Sequence, residues 1–140
     1  MRNPEQPTGS ADRPGREYRQ ALAAEKTGDF LRAEAWYRRA LKRDPLNEAL
    51  VVHAGLFYRE KRKNDEQAYN LLVDAVQLNP YSVPVYQAYV RQCLAMGLTG
   101  YAEAGLETLK TIATPADYQA FLPEYRGKVA LIEKQSAGFQ

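Results

Sequence analysis

The 140-residue chain contains a single cysteine, a single histidine and a single tryptophan. One cysteine, Cys93, cannot form a disulfide within the chain and fits a reducing compartment such as the cytoplasm. It falls on an apolar helical position and reads as a small core residue. One histidine, His53, cannot supply the paired spacing that zinc chemistry uses, so no metal site is expected. Long hydrophobic runs are also missing. The longest apolar stretch, Ala49 to Tyr58, is interrupted by His53 and falls far short of the roughly 20 residues that cross a bilayer. Met1 to Arg16 has no apolar stretch of the kind a signal peptide needs. Neither sign of charge dominates: 19 lysines and arginines face 17 acidic residues, a net charge of +2, with the two signs interleaved. No long-range field therefore argues for nucleic acid. There is no phosphate-binding glycine loop, no nucleophile elbow and no partner that would activate Cys93. Neither catalysis nor a cofactor is expected.

What the chain does have is a period. Ala33, Ala68 and Ala102 recur at steps of 35 and 34, followed by Tyr37, Leu72 and Leu106, then by Ala40, Ala75 and Leu109. Pro45 and Pro80 keep the same phase, and Pro115 lies one residue late. Upstream, Glu17, Val51 and Tyr86 correspond, as do Ala21, Gly55 and Val90, and Ala24, Tyr58 and Cys93; these sets step by 34 and then 35. The inverted order locates one extra residue within Arg62 to Glu66. An insertion tolerated there belongs in a loop, so each unit is two helices joined by a short turn. Units of this size cannot bury an apolar face alone and must stack on their neighbours. At 45% hydrophobic, the chain has enough apolar material for one domain with a real core.

The stretch Gly28, Asp29, Phe30, Ala33, Tyr37, Ala40, Asp44 and Pro45 resembles the second half of a tetratricopeptide repeat, and the resemblance covers roughly residues 14 to 114. It implies an all-α, right-handed solenoid of three helix-turn-helix repeats, at about 14–47, 48–82 and 83–114. A capping helix at about 115–134 follows, between a disordered leader at 1–14 and a flexible tail at 135–140. Small residues, Ala21 with Ala33 and Gly55 with Ala68, let paired helices approach closely, while Tyr37, Tyr58 and Leu72 fill the space beside them. Repeat 1 departs at Glu17 and Gln20, as suits a first helix with no preceding neighbour. Repeat 3 carries Val90 and Leu109 where small residues are usual, so its pair should pack less closely.

Local signals set the helix ends. Gly28 can close a helix in the left-handed conformation, Gly97 ends another, and Asp29 and Thr99 stand where they can cap the next ones. Lys42 and Arg43 lie in a last turn, where cations suit the helix dipole. Asn64 with Gln67 resembles a capping box. Thr114, Pro115 and Asp117 start a final helix whose stripe, Tyr118, Phe121, Leu122, Tyr125, Val129 and Ile132, should cover repeat 3 and end the array, the rival reading being a face that docks a partner. Pro123 should kink that helix or split it near Leu122.

By the same resemblance, the first helix of each repeat lines a concave groove. The expected partner-binding residues are Tyr18, Leu22 and Lys26, with Glu25 beside them, then Val52, His53, Leu56 and Arg59, then Gln87 and Arg91, with Leu94. Apolar bodies and arginines suit a protein or peptide partner with apolar anchors and a few acidic groups. The lysine-and-asparagine clamp by which some members hold chaperone tails is absent, because Tyr18, Leu22, His53, Pro84 and Ala88 occupy its places. The expected function is thus a non-catalytic interaction module: an adaptor, scaffold or assembly subunit. Two alternatives are a self-associating structural subunit, and nucleic-acid binding through Arg59, Lys61, Arg62 and Lys63 or through Arg38, Arg39, Lys42 and Arg43.

Overall fold

The computed structural model describes residues 15–138. The leader expected at 1–14 and the last two residues of the expected tail lie outside the described residues. Among those described, the chain is all-helical, with seven helices and no strand: α1 (Arg16–Lys26), α2 (Phe30–Arg43), α3 (Glu48–Glu60), α4 (Asp65–Leu78), α5 (Val83–Ala95), α6 (Thr99–Ile112) and α7 (Pro115–Ala137). None of these helices is long and apolar enough to cross a membrane. The chain divides after Ala68 into two compact units.

Helix ends follow from short polar side chains and from backbone handedness. Asp29, Asn47, Asn64, Ser82 and Thr114 each accept a hydrogen bond from the backbone N–H three residues on, satisfying a donor that a helix start leaves free. Thr99 does not do this. Leu98 takes the N-cap place without a side-chain bond, and Thr99 becomes the first helical residue. The Asn64 box is also left open, because the Asn64 N–H donates to the Tyr58 carbonyl at 2.9 Å.

Gly28 and Gly97 have φ of 83° and 73°, the left-handed region where a Cβ is costly. Both turns close by a bond five residues back, from Asp29 N–H to Ala24 O at 2.9 Å and from Leu98 N–H to Cys93 O at 2.8 Å. Between α3 and α4 the corresponding bond, Asn64 to Tyr58, reaches six back. The extra residue inferred from the period is absorbed there, and Lys63 takes the left-handed place at φ 53°.

In the first unit α2 packs against both α1 and α3. Ala21, Ala33 and Ala54 are fully enclosed, as are Tyr37, Phe57 and Tyr58, so alanines give close approach and aromatic rings fill the gaps. Tyr37 and Phe57 pack with ring centroids 4.8 Å apart and planes tilted by 39°.

In the second unit α5 packs on α6, and α7 packs on both. Val90, Cys93, Leu94, Ala102, Leu106, Leu109, Phe121 and Leu122 form its core, with Tyr118, Tyr125, Val129 and Ile132 of α7 packed against it. The apolar stripe of α7 is thus spent on this core. Val90 does not hold α5 away from α6, because it lies against Gly105: a Cβ built there would meet Val90 Cγ2 at 2.8 Å. Cys93 is buried, and burial pushes its thiol up.

Pro123 does not split α7, which runs unbroken through it and on to Ala137, three residues past the end read from the sequence. The packing of Phe121 and Leu122 on one side of Pro123 and of Tyr125 on the other spans the missing hydrogen bond.

Candidate functional site

In the first unit, Leu22, Glu25 and Lys26 of α1, His53 of α3 and Lys61 at the end of α3 line an open groove of about 330 Å³. The spacing of Leu22, Glu25 and Lys26 puts all three on one helical face. Val52 is half-buried and Leu56 is 43% exposed, but neither lines that groove. The Arg59 guanidinium stands 3.7 Å from the Glu60 carboxylate. Tyr18 is not a groove wall. It is only 8% exposed, its hydroxyl donates to the Ala49 carbonyl at 3.3 Å, and its ring packs beside Tyr37 and edge-on to His53. A ring between two helices with its hydroxyl satisfied belongs to the core.

Glu25 is the centre of this region. Its Oε1 accepts the Tyr37 hydroxyl at 2.6 Å and meets His53 Nε2 at 3.2 Å. A carboxylate oxygen only accepts here, so His53 makes this bond with its proton on Nε2. The ring is stacked on Tyr37, centroids 5.8 Å apart. One carboxylate therefore joins α1, α2 and α3. Burial pushes the Tyr37 hydroxyl far above the usual tyrosine range, and Glu25 reinforces it. Burial and then the Glu25 charge raise Tyr18 in the same direction. From the sequence alone Tyr37 reads as filler. The signal for more was its hydroxyl, at a position where the later repeats have Leu72 and Leu106.

The two basic clusters meet on a different carboxylate. Glu34 accepts Arg38 Nη2 at 2.7 Å, Arg62 Nε at 2.9 Å and the Tyr58 hydroxyl at 3.2 Å. Arg38 belongs to α2 and Arg62 to the α3–α4 loop, so a residue in neither cluster ties them together. Arg43 pairs with Glu17 at 3.3 Å, and Arg39 lies 4.8 Å over the Trp36 ring.

In the second unit Gln87 is half-buried, and Leu94 is core, only 5% exposed. Arg91 is engaged within the chain. Its Nε and Nη2 donate to the two Glu124 oxygens at 2.6 and 3.0 Å, and its guanidinium lies 5.2 Å over the Phe121 ring. These bonds hold the Glu124 carboxyl below the usual carboxylate range. Among the described residues no group of three or more histidine, cysteine or acidic side chains is placed to hold a metal.

No family model matches the chain, and no curated protein matches it significantly.

Proposed function

We propose that the chain is a non-catalytic protein-interaction module, built on the tetratricopeptide pattern as a right-handed solenoid of three repeats with α7 as its cap. It serves as an adaptor, scaffold or assembly subunit in the cytoplasm. The observation that carries the proposal is the open groove of Leu22, Glu25, Lys26, His53 and Lys61, which sets an apolar wall beside charged groups on a rigid helical face. Such a surface suits a partner segment with an apolar anchor and acidic groups, held by burial and charge-assisted hydrogen bonds. Support for the architecture comes from the repeat phase, since the alanines of the period, Ala33, Ala68 and Ala102, are all fully enclosed.

The test compares partner capture by the wild-type chain with capture by Leu22→Glu and Lys26→Glu, helical circular dichroism being the control. Loss of a defined partner with the helical signal intact supports the module. Equal capture by all three sinks it. Nucleic-acid binding is the weaker alternative because Arg38 and Arg62 are spent on Glu34. A steep salt dependence of polynucleotide binding would favour it. Self-association would instead show as a mass that rises with concentration in light scattering.

A further inference from the structure

We propose that the groove of the first unit selects a partner segment carrying a basic side chain beside an acidic one, the basic group bound by Glu25 and the acidic group by Lys26 and Lys61. This presumes that the groove holds a partner segment at all, and it adds what that segment must present.

Four observations converge. The Glu25 side chain is only 16% exposed, yet both of its hydrogen bonds fall on Oε1, and Oε2 has no donor among the described residues. A carboxylate that lines an open groove and spends only one oxygen on the chain can accept a further donor. Glu25 also stands in the last turn of α1, where the helix dipole adds partial negative charge and favours a cation. The rim has the opposite character. Lys26 makes no ion pair among the described residues, and the Lys61 ammonium lies 6.0 Å over the Phe30 ring. Two lysines without a carboxylate partner among the described residues suit an acidic side chain. Leu22 adds an apolar side chain to the same lining.

A purely acidic segment would leave Glu25 facing like charge, and a purely basic one would meet two lysines. Only a segment with both signs satisfies every lining group. Tyr37 and His53 fix the carboxylate from behind, so the acceptor is already oriented before binding and little ordering remains to be done.

The experiment uses the full chain labelled with nitrogen-15 and three blocked tripeptides: lysine-leucine-glutamate, glutamate-leucine-glutamate and lysine-leucine-lysine. Chemical-shift titrations follow Leu22, Glu25 and the ring of His53, whose signal is unique in the chain. The mixed peptide is expected to bind about tenfold more tightly than either single-sign peptide, the gain of one charge-assisted hydrogen bond. Glu25→Gln should erase its advantage over the acidic peptide. Lys61→Ala should weaken the mixed and acidic peptides while sparing the basic one, which keeps the question answerable if Glu25→Gln disturbs the fold. An acidic peptide that binds as well as the mixed one, or a preference that survives Glu25→Gln, overturns the inference and leaves the groove standing. If none of the three peptides shifts Leu22 or His53, the groove itself is wrong.

Discussion

The Arg91 guanidinium of α5 holds the Glu124 carboxylate of α7 through two hydrogen bonds, at 2.6 and 3.0 Å. Both side chains are 38% exposed, so water screens the pair and its contribution is modest, about 0.2 to 1 kcal/mol. Glu124→Gln should lower the melting temperature slightly at neutral pH. The sign with pH follows from the lowered Glu124 carboxyl. Its stabilisation is fully present above the unfolded carboxylate value, about 4.3, and disappears as pH falls through the lower folded value. The two melting curves should converge in acid. A gap that persists below pH about 2 would mean that packing and not charge separates them.

Gly105 and Gly127 should respond in opposite directions to alanine. A Cβ at Gly105 meets Val90 Cγ2 at 2.8 Å and Tyr89 at 3.3 Å, and overpacking of this kind costs about 1 to 3 kcal/mol. Helix propensity returns up to about 1 kcal/mol. Gly127 has nothing within 4 Å, so only the propensity gain remains there. Chemical denaturation should find Gly105→Ala destabilised and Gly127→Ala stabilised by about 0.5 to 1 kcal/mol.

The left-handed positions give a second opposed pair. Lys63 bears a side chain at φ 53°, a conformation that costs a residue with a Cβ about 1 to 2 kcal/mol. Lys63→Gly removes that cost but loosens the unfolded chain by about 0.4 to 1 kcal/mol, leaving a small net gain. Gly28→Ala, at φ 83° with open space around it, introduces the cost without any clash and should lose about 1 kcal/mol. Thermal melts of both variants decide it. A Gly28→Ala protein as stable as wild type would mean that the turn relaxes out of the left-handed region.

Tyr37 should make the first unit sensitive to alkali. Its hydroxyl is raised by burial and by Glu25, so its stabilisation is complete below the unfolded tyrosine value, about 10, and drains away as pH rises beyond it. Tyr37→Phe should cost about 1 to 2 kcal/mol at neutral pH through the lost bond to a carboxylate, and should lose less stability than wild type above pH about 10. Tyrosinate absorbance followed alongside circular dichroism would show Tyr37 ionising only as the helices unfold.

The period made most of the helical plan legible, because alanines in contact and glycines in left-handed turns constrain the backbone locally. Local signals failed where tertiary context intervened. Thr99 looks like a cap, but the bond from the Leu98 N–H to Cys93 that closes α5 puts Leu98 at the start of α6. Val90 looks too large for a close helix pair until Gly105, 15 residues later, is seen to receive it. Of the residues that the resemblance places in a groove, Leu22, Glu25, Lys26 and His53 line one opening of the first unit. From the sequence Arg91 reads as open to a partner, because nothing along the chain pairs it with Glu124, a contact made only once α7 docks. Glu25 and Tyr37 were each visible, but their bond joins two helices and has no signature along the chain.

Glu34 sets the electrostatic character of the face it occupies. It is the common acceptor for Arg38, Arg62 and Tyr58, so its removal does more than raise the net charge from +2. Glu34→Gln would leave two guanidiniums without their shared carboxylate, Arg38 keeping only its bond to the Tyr58 hydroxyl at 3.3 Å, beside Lys63 on the loop that carries Arg62, and make the junction more strongly cationic. A single substitution should then strengthen retention on heparin relative to the native chain, since a carboxylate at this junction opposes polyanions.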